Sequence, residues 1–455
     1  MQKKDINRRN FIKSSVAASA ALSIPSIVPA TVFGADAPSN RINVGQIGCG
    51  GIGNWMHKNN LKKLDDVRVV ATCDAYKSRR ESMADFFNKH YGGNHITKTY
   101  ADFRELLANK DVDAVIVAAH DNWHTPMSIA AANAGKDVYC QKPLALDLGR
   151  TKLLRKAVND NKRVFQFGTQ YRSSKRYRQM VELVRNGYIG KVKHIDVWCR
   201  NVQHDAANYN VKPYGSTVKI PVPDDLDFDA WQGPSAMVPY TVDRCTKWGG
   251  FHCPETSLGF LAGCGIHPLG VAQWGNKSDD TSPIKYKGTG SVPTKGIFRT
   301  LETWDVMCEY ENGVTLRMMD NDTAKDVVMK YYPLTWKDGD GVVFHGSDGW
   351  IGDFRFGTFY ASDQKIWKTE LKPTDERVYL SSNHHRNFID CVKSRKDCVC
   401  NVEMGIRCDT IAHMVNVASQ TGRTINWDPK AEKIVGDAEA AKMITRPYRK
   451  KWKVW

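Results

Sequence analysis

From Ile42 onward the chain alternates short apolar runs with segments of helical spacing. Ile42–Ile47 reads as a strand, and "DVRVVATC" as a second that ends at Asp74. "SRRESMADFFNKHY" and "DFRELLAN" have helical spacing, with the short extended "ITKTY" between them. "VDAVIVAA" is almost continuously apolar, as a strand covered on both faces requires. "TPMSIAAANAG" predicts a helix stopped by Gly135; "DVYCQ" is the next strand, then a helix to about Asn159, then "RVFQFG". Strands and helices that alternate through short links predict a parallel, doubly wound α/β sheet. Ligands of such sheets lie beyond the strand C-termini. Gly48, Asp74, His120, Lys142 and Gln170 all follow strand ends.

The pattern then changes. "KVKHIDVWCR" opens a second domain with a strand, but Asn201 to about Gly265 has little periodicity and is rich in Pro, Asp, Gly, Tyr and Trp. Loops of that length are commonly functional. Tyr209, Tyr214, Trp231, Tyr240, Trp248 and Phe251 are suited to stacking on sugar faces. In "ETWDVMCEYENGVTLRMMD", Glu311-Asn312-Gly313 reads as a hairpin turn, and "GVVFHGSDGWIGDF" predicts another hairpin. Two helices follow, within residues 383–422, and are expected to pack back on the first domain. The basic, aromatic tail "RPYRKKWKVW" is expected to lie on the domain surface.

Composition changes this picture little. Hydrophobic residues make up 42% and charged residues 25%, ordinary for a globular protein. The formal charge of +16 comes from scattered Lys and Arg, with no nucleic-acid signature, so a nucleic-acid partner is not expected. "NRRNFIK" followed by "SSVAASAALSIPSIVPATVFGADA" reads as a signal peptide with the twin-arginine pair Arg8-Arg9, which predicts export to the periplasm. No stretch is long and apolar enough for a membrane span. The 12 cysteines lack paired metal-site spacing, so no metal is expected.

Gly48, Gly50 and Gly53 have the G-x-G-x-x-G spacing between a strand and a helix. Such a loop lets the backbone approach a pyrophosphate at a helix N-terminus. Asp74 falls where an acid would hold the ribose 2′-hydroxyl, and it would repel a 2′-phosphate. NAD is therefore favoured, while Lys77, Arg79 and Arg80 leave NADP open. In "VYCQKPLAL", Lys142 sits at the tip of an apolar strand, followed by Pro143, and is placed to face the cofactor crevice.

"GCGGIG", "AHDNWHTPMSIAAANAGKDVYCQKPL", "FGTQYRSS", "LDFDAWQGP", "GCGIHPLGVAQW" and "GRTINWDP" together resemble the Gfo/Idh/MocA oxidoreductases, the family of glucose-fructose oxidoreductase and inositol dehydrogenase. The resemblance implies an NAD(P)-binding Rossmann domain and an α+β domain on a large, open, mostly antiparallel sheet. That sheet often forms the subunit contact, so a homo-oligomer is expected. The family's Glu-Lys-Pro falls on Gln141-Lys142-Pro143, with Gln in place of Glu. Its lysine maps to Lys142 and its catalytic histidine to His267. Two family acids, four residues before and three after that histidine, are Gly263 and Gly270 here.

The chemistry agrees with those roles. A neutral histidine can take a hydroxyl proton as hydride leaves the carbon. A lysine ammonium can stabilise the developing charge on oxygen. Without a carboxylate partner, His267 is expected to titrate near an ordinary value of about 6.5. The expected cofactor residues are Gly48, Gly50, Gly51, Ile52, Gly53, Asp74, Ala119, His120, Asn122, His124, Gln141, Lys142 and Gln170. The expected substrate residues are Lys142, Tyr171, Arg172 and His267. The domains expected are a signal peptide over 1–37, the Rossmann domain over 40–168, the α+β domain over 169–427 and a tail over 428–455. The leading expectation is an exported oxidoreductase acting on a ring hydroxyl of a sugar, glycoside or polyol. The alternatives are a glycoside-cleaving enzyme that uses tightly held NAD transiently, and a non-catalytic sugar-binding protein.

Overall fold

The computed structural model describes residues 41–201, 214–246, 249–331 and 336–455. The twin-arginine segment, Tyr209 and Trp248 lie outside the described residues. The first domain is a six-stranded parallel sheet in the order β3-β2-β1-β4-β5-β6. Its strands are β1 Ile42–Ile47, β2 Val67–Cys73, β3 Lys98–Tyr100, β4 Ala114–Val117, β5 Asp137–Cys140 and β6 Phe165–Phe167. Every residue of β4 and β5 is buried, because helices cover both faces of the sheet. The helices are α1 Lys77–Tyr91, α2 Phe103–Ala108, α3 Asp121–Asn133 and α4 Thr151–Asp160. The order reverses between β1 and β4, so the crevice opens at the C-terminal end of β1, where the glycine loop lies.

The segment after that loop starts α-helical at Gly51–Ile52, widens into a π-helical stretch over Gly53–His57, and is α-helical again over Lys58–Leu61. Gly53 is required here: a Cβ would stand 2.2 Å from the Gly48 carbonyl oxygen.

The second domain begins with α5, Lys175–Arg185, and has nine strands among the described residues, in the order β13-β12-β11-β7-β10-β9-β8-β14-β15. They are β7 His194–Cys199, β8 Lys285–Ser291, β9 Thr303–Glu309, β10 Thr315–Asp320, β11 Gly341–His345, β12 Trp350–Asp353, β13 Phe359–Ala361, β14 Ile425–Asp428 and β15 Lys433–Val435. Both expected hairpins form, β9–β10 around Gly313 (φ +80°) and β11–β12. The β7–β10 pair is parallel, and the other pairs of this sheet are antiparallel.

One face of this sheet packs on α6, Ile266–Gly275, and on α9, Val402–Thr421. On the other, α7, Asn321–Tyr331, closes a small cluster of Trp198, Met319, Ala324, Val328, Val343 and Phe354. The expected return helices are α8, His384–Ser394, and α9. Buried Asp409 of α9 accepts the Leu144 and Ala145 N–H groups at 3.2 and 3.1 Å, so it anchors the loop just after Lys142. One continuous apolar core runs from Val115 and Cys140 of the first sheet through Met414 to Leu316 of the second. The tail returns to the first domain: Gly149 N–H donates to the Ile444 carbonyl at 2.9 Å, and Trp452 packs edge-on against Trp123.

Candidate functional site

Gly48 has φ +87°, and a Cβ there would stand 2.3 Å from the Ala118 carbonyl oxygen, so only glycine lets the loop press against the end of β4. On the open side of the loop, Gly51 is exposed and a Cβ there would meet nothing within 4 Å. This gives a pyrophosphate free access to the loop backbone and to the helix start at Gly51–Ile52. Asp74 ends β2 beside the loop. Its carboxylate accepts the Cys49 N–H at 2.7 Å and the Tyr76 N–H at 2.8 Å, and it stays partly exposed with lone pairs left for ribose hydroxyls. The Arg79 guanidinium stacks on Tyr76 at 3.8 Å, and a Cβ on Gly50 would meet it at 3.1 Å. The residues present therefore fit a dinucleotide, with Asp74 on the ribose and the glycine loop on the pyrophosphate.

At the other end of the crevice, Lys142 leaves β5 and crosses to the second domain. Its ammonium donates to the Gly263 carbonyl and lies 5.7 Å from the Phe251 ring centroid. Gly263 is where the resemblance placed an acid, and its main-chain oxygen now accepts from the lysine. His267, in the first turn of α6, stacks on Tyr171 with centroids 4.6 Å apart and planes 19° apart. Its Nδ1 is buried without a hydrogen-bond partner among the described residues. Burial, and then the nearby Lys142 charge, hold His267 well below the usual histidine range. The expectation of an ordinary value near 6.5 is thereby corrected, and the ring is neutral at neutral pH. Phe356, which is 68% exposed, extends the aromatic wall from Tyr171 at 5.1 Å.

Several expected site residues make contacts within the scaffold. Arg172 is buried, ion-paired with Asp279 and donating to the Gly270 carbonyl at 3.0 Å, so the terminal nitrogens of its guanidinium are engaged within the second domain. Asn122 donates to the Gln232 carbonyl at 2.9 Å and to Ser235 Oγ at 3.1 Å. Gln170 donates to the Tyr139 hydroxyl at 2.8 Å. The His124 ring lies between the carbonyls of Pro143, at 2.5 Å, and Ala119, at 3.0 Å. Burial pushes His124 down to about 4, so the neutral ring donates to one of the two and braces the turn after Lys142 against the end of β4. Gln141 faces inward, toward His57. His120 is held edge-on to Trp231 at 4.7 Å, with burial pushing it down to about 4.

Two features escaped sequence reasoning. Asp121, in the first turn of α3, is buried and accepts from Ser257 Oγ at 2.5 Å. Burial pushes it up to about 7, opposed by the Ser257 bond and the Lys142 charge. An acid in a first helical turn reads as a partner of the helix dipole, which hides its contact with the other domain. The second feature is a strap over residues 223–246. At the β2 side, just after Asp74, Lys77 N–H donates to the Asp225 carbonyl at 2.9 Å, Asp227 N–H to the Ala75 carbonyl at 3.0 Å, and Ser78 Oγ to the Asp225 carboxylate at 2.5 Å. At the α3 side it takes the bonds from Asn122 and from Trp123 Nε1, the latter to the Ala230 carbonyl at 2.9 Å. These anchors follow β2 and β4, which flank β1, so the strap crosses the crevice beyond the glycine loop.

Comparison with known proteins agrees with this anatomy. A model described as "Oxidoreductase family, NAD-binding Rossmann fold" matches residues 42–169, and one described as "Oxidoreductase family, C-terminal alpha/beta domain" matches residues 176–454. Myo-inositol 2-dehydrogenase of Thermotoga maritima is 33% identical over 150 residues, 33% of this chain and 42% of its own length. The chain thus spans less than half of that relative. A glycosyl hydrolase family 109 protein of Stenotrophomonas maltophilia is 28% identical over 354 residues, covering 70% of each chain. The crystal structure of myo-inositol 2-dehydrogenase from Lactobacillus plantarum shares the fold, with a TM-score of 0.57 and 19% identity over 85% of this chain and 99% of that one.

Proposed function

This chain belongs to the Gfo/Idh/MocA oxidoreductase family, and on that premise we propose that it oxidises or reduces a ring hydroxyl of a sugar, glycoside or polyol by hydride transfer. The observation that carries the reading is the convergence of Lys142 from the first domain and His267 from the second on one aromatic-walled crevice. NAD, when bound, supplies the hydride acceptor. Neutral His267 takes the hydroxyl proton as the C–H bond breaks. Lys142 donates to the reacting oxygen and offsets its developing charge. Asp121, pushed up to about 7 by burial, lies close enough to feel the Lys142 charge and is a second titratable group beside the crevice. Phe251 and the exposed Phe356 offer flat apolar surface to a pyranose or cyclitol ring, while Tyr171, stacked between Tyr177 and His267, holds the His267 ring in place.

The strap favours a second reading, in which the cofactor is retained and the net reaction is cleavage of a glycoside. The ring hydroxyl is first oxidised to a ketone. A base removes the acidified neighbouring proton, the aglycone leaves with a proton, water adds to the enone, and the hydride returns to the carbonyl. The glycosyl hydrolase family 109 relative, aligned over 70% of each chain, supports this reading. An aryl glycoside followed with and without added NAD separates the two. Aglycone release without net NADH supports cleavage, and NADH with the glycosidic bond intact supports the dehydrogenase. We also propose export by the twin-arginine route, on the strength of Arg8-Arg9. Undiminished periplasmic protein after both are changed to lysine overturns it.

A further inference from the structure

Beneath the crevice lies a buried chain of polar side chains that the proposed reaction does not use. His57, at the end of the π-helical turn, is 0% exposed; Gln141 is 2% and His385 of α8 is 4% exposed. The Lys142 N–H donates to Gln141 Oε1 at 3.1 Å. That bond orients the amide, because the opposite orientation would set NH₂ against N–H. Gln141 Nε2 therefore points at His57 Nε2, 3.1 Å away, and must donate to it. His57 Nε2 then carries no proton, so His57 Nδ1–H donates to His385 Nε2 at 2.8 Å. Each link requires a neutral imidazole, and burial holds both rings down, His385 to about 3. Tyr139 packs edge-on to His57 at 5.2 Å and flat on His385 at 5.3 Å, which excludes water from the chain.

We propose that His57, Gln141 and His385 form an uncharged, proton-ordered bridge that positions Lys142 and fastens it to the helix carrying the glycine loop. The π-turn turns His57 inward, and π-bulges of this kind recur at functional sites. The bridge also accounts for glutamine where the resemblance expects glutamate. A carboxylate at position 141 would face a bare imidazole nitrogen, and would have to take a proton itself or put one on His57. With glutamine, the hydrogen bonds close and no charge is buried.

The inference rests on the reading that Lys142 meets the reacting oxygen, and the test separates the two. Spectra of protein labelled with ¹⁵N-histidine, with His57→Gln for assignment, should show His57 neutral and protonated on Nδ1 between pH 5.5 and 8. An imidazolium, or a proton on Nε2, overturns the bridge. Turnover is then measured with 4-nitrophenyl β-glucoside and with myo-inositol, alongside NADH binding by fluorescence. His57→Leu should lower kcat by about 10- to 100-fold, the usual cost of a misplaced reacting group. KM and NADH affinity should stay within about twofold. His57→Gln, which keeps an acceptor for Gln141, should recover most of the loss. If Lys142→Met abolishes turnover and His57→Leu leaves kcat unchanged, the bridge has no positioning role. If Lys142→Met retains turnover, the parent reading fails instead.

Discussion

The Lys142 ammonium of the first domain donates to the main-chain carbonyl of Gly263 in the second, 121 residues away. A backbone oxygen thus holds the lysine at the point where the resemblance calls for a carboxylate. The lysine is aimed across the domain boundary without a counter-ion at that position.

Lys142→Met should leave NAD bound and remove turnover. Losing a charged donor in a water-poor site costs about 10²–10³ in rate. Calorimetric NAD titration beside single-turnover absorbance checks this; equal rates for variant and parent would sink the assignment.

His267→Ala should lose a general-base factor of roughly 10²–10⁴. Because burial and Lys142 hold the ring well below its ordinary value, the parent enzyme should keep its His267-dependent activity as pH falls through 6.5. A pH–rate profile that breaks near 6.5 and is abolished by His267→Ala contradicts this.

Asp121→Asn should remove a titration close to pH 7, where burial has pushed the carboxyl. The comparison is between kcat–pH profiles of variant and parent; identical profiles exclude Asp121 from proton exchange.

Asp74→Ala should weaken NAD binding by about 1–3 kcal/mol, the cost of lost hydrogen bonds to a carboxylate, and narrow the preference over NADP. Equal or tighter NADP binding by the parent protein would defeat the prediction.

Folding stability should fall with acid below pH 6.5. His57, His120, His124, His267, His384 and His385 all have folded values below the ordinary one, with burial the first cause in each. Below pH 6.5 the unfolded chain binds protons that the native state refuses, so each buried imidazole costs about 1–2 kcal/mol by pH 5. Asp74, Asp121 and Asp353 act in the opposite sense: burial raises their folded values, that of Asp121 to about 7, so their contributions are lost as pH rises from about 4. They are three groups against six. Denaturant midpoints at pH 5, 6 and 7.5 decide the matter, and a midpoint that does not drop at pH 5 refutes it.

Much of this protein was determined by sequence alone. The all-apolar β4 and β5 specify a sheet covered on both faces, and Gly48 and Gly53 specify a loop that no Cβ would fit. Asp74, Lys142 and His267 are legible as candidates because a strand end or a motif marks each one locally. The short edge strands β13 and β15 carry too few residues for a periodic signal. What the tertiary structure decided is partnership. Arg172 and Asn122 read as pocket residues from the sequence, and the fold shows that Asp279 and the Gln232 carbonyl, each about a hundred positions away, accept their N–H groups. Asp121 gained its raised value, His57 its place against Gln141 and the strap its two anchors in the same way. A side chain's type and local spacing are written in the chain. Its burial and its hydrogen-bond partner depend on which distant backbone the fold brings within about 3 Å, and no local pattern encodes that.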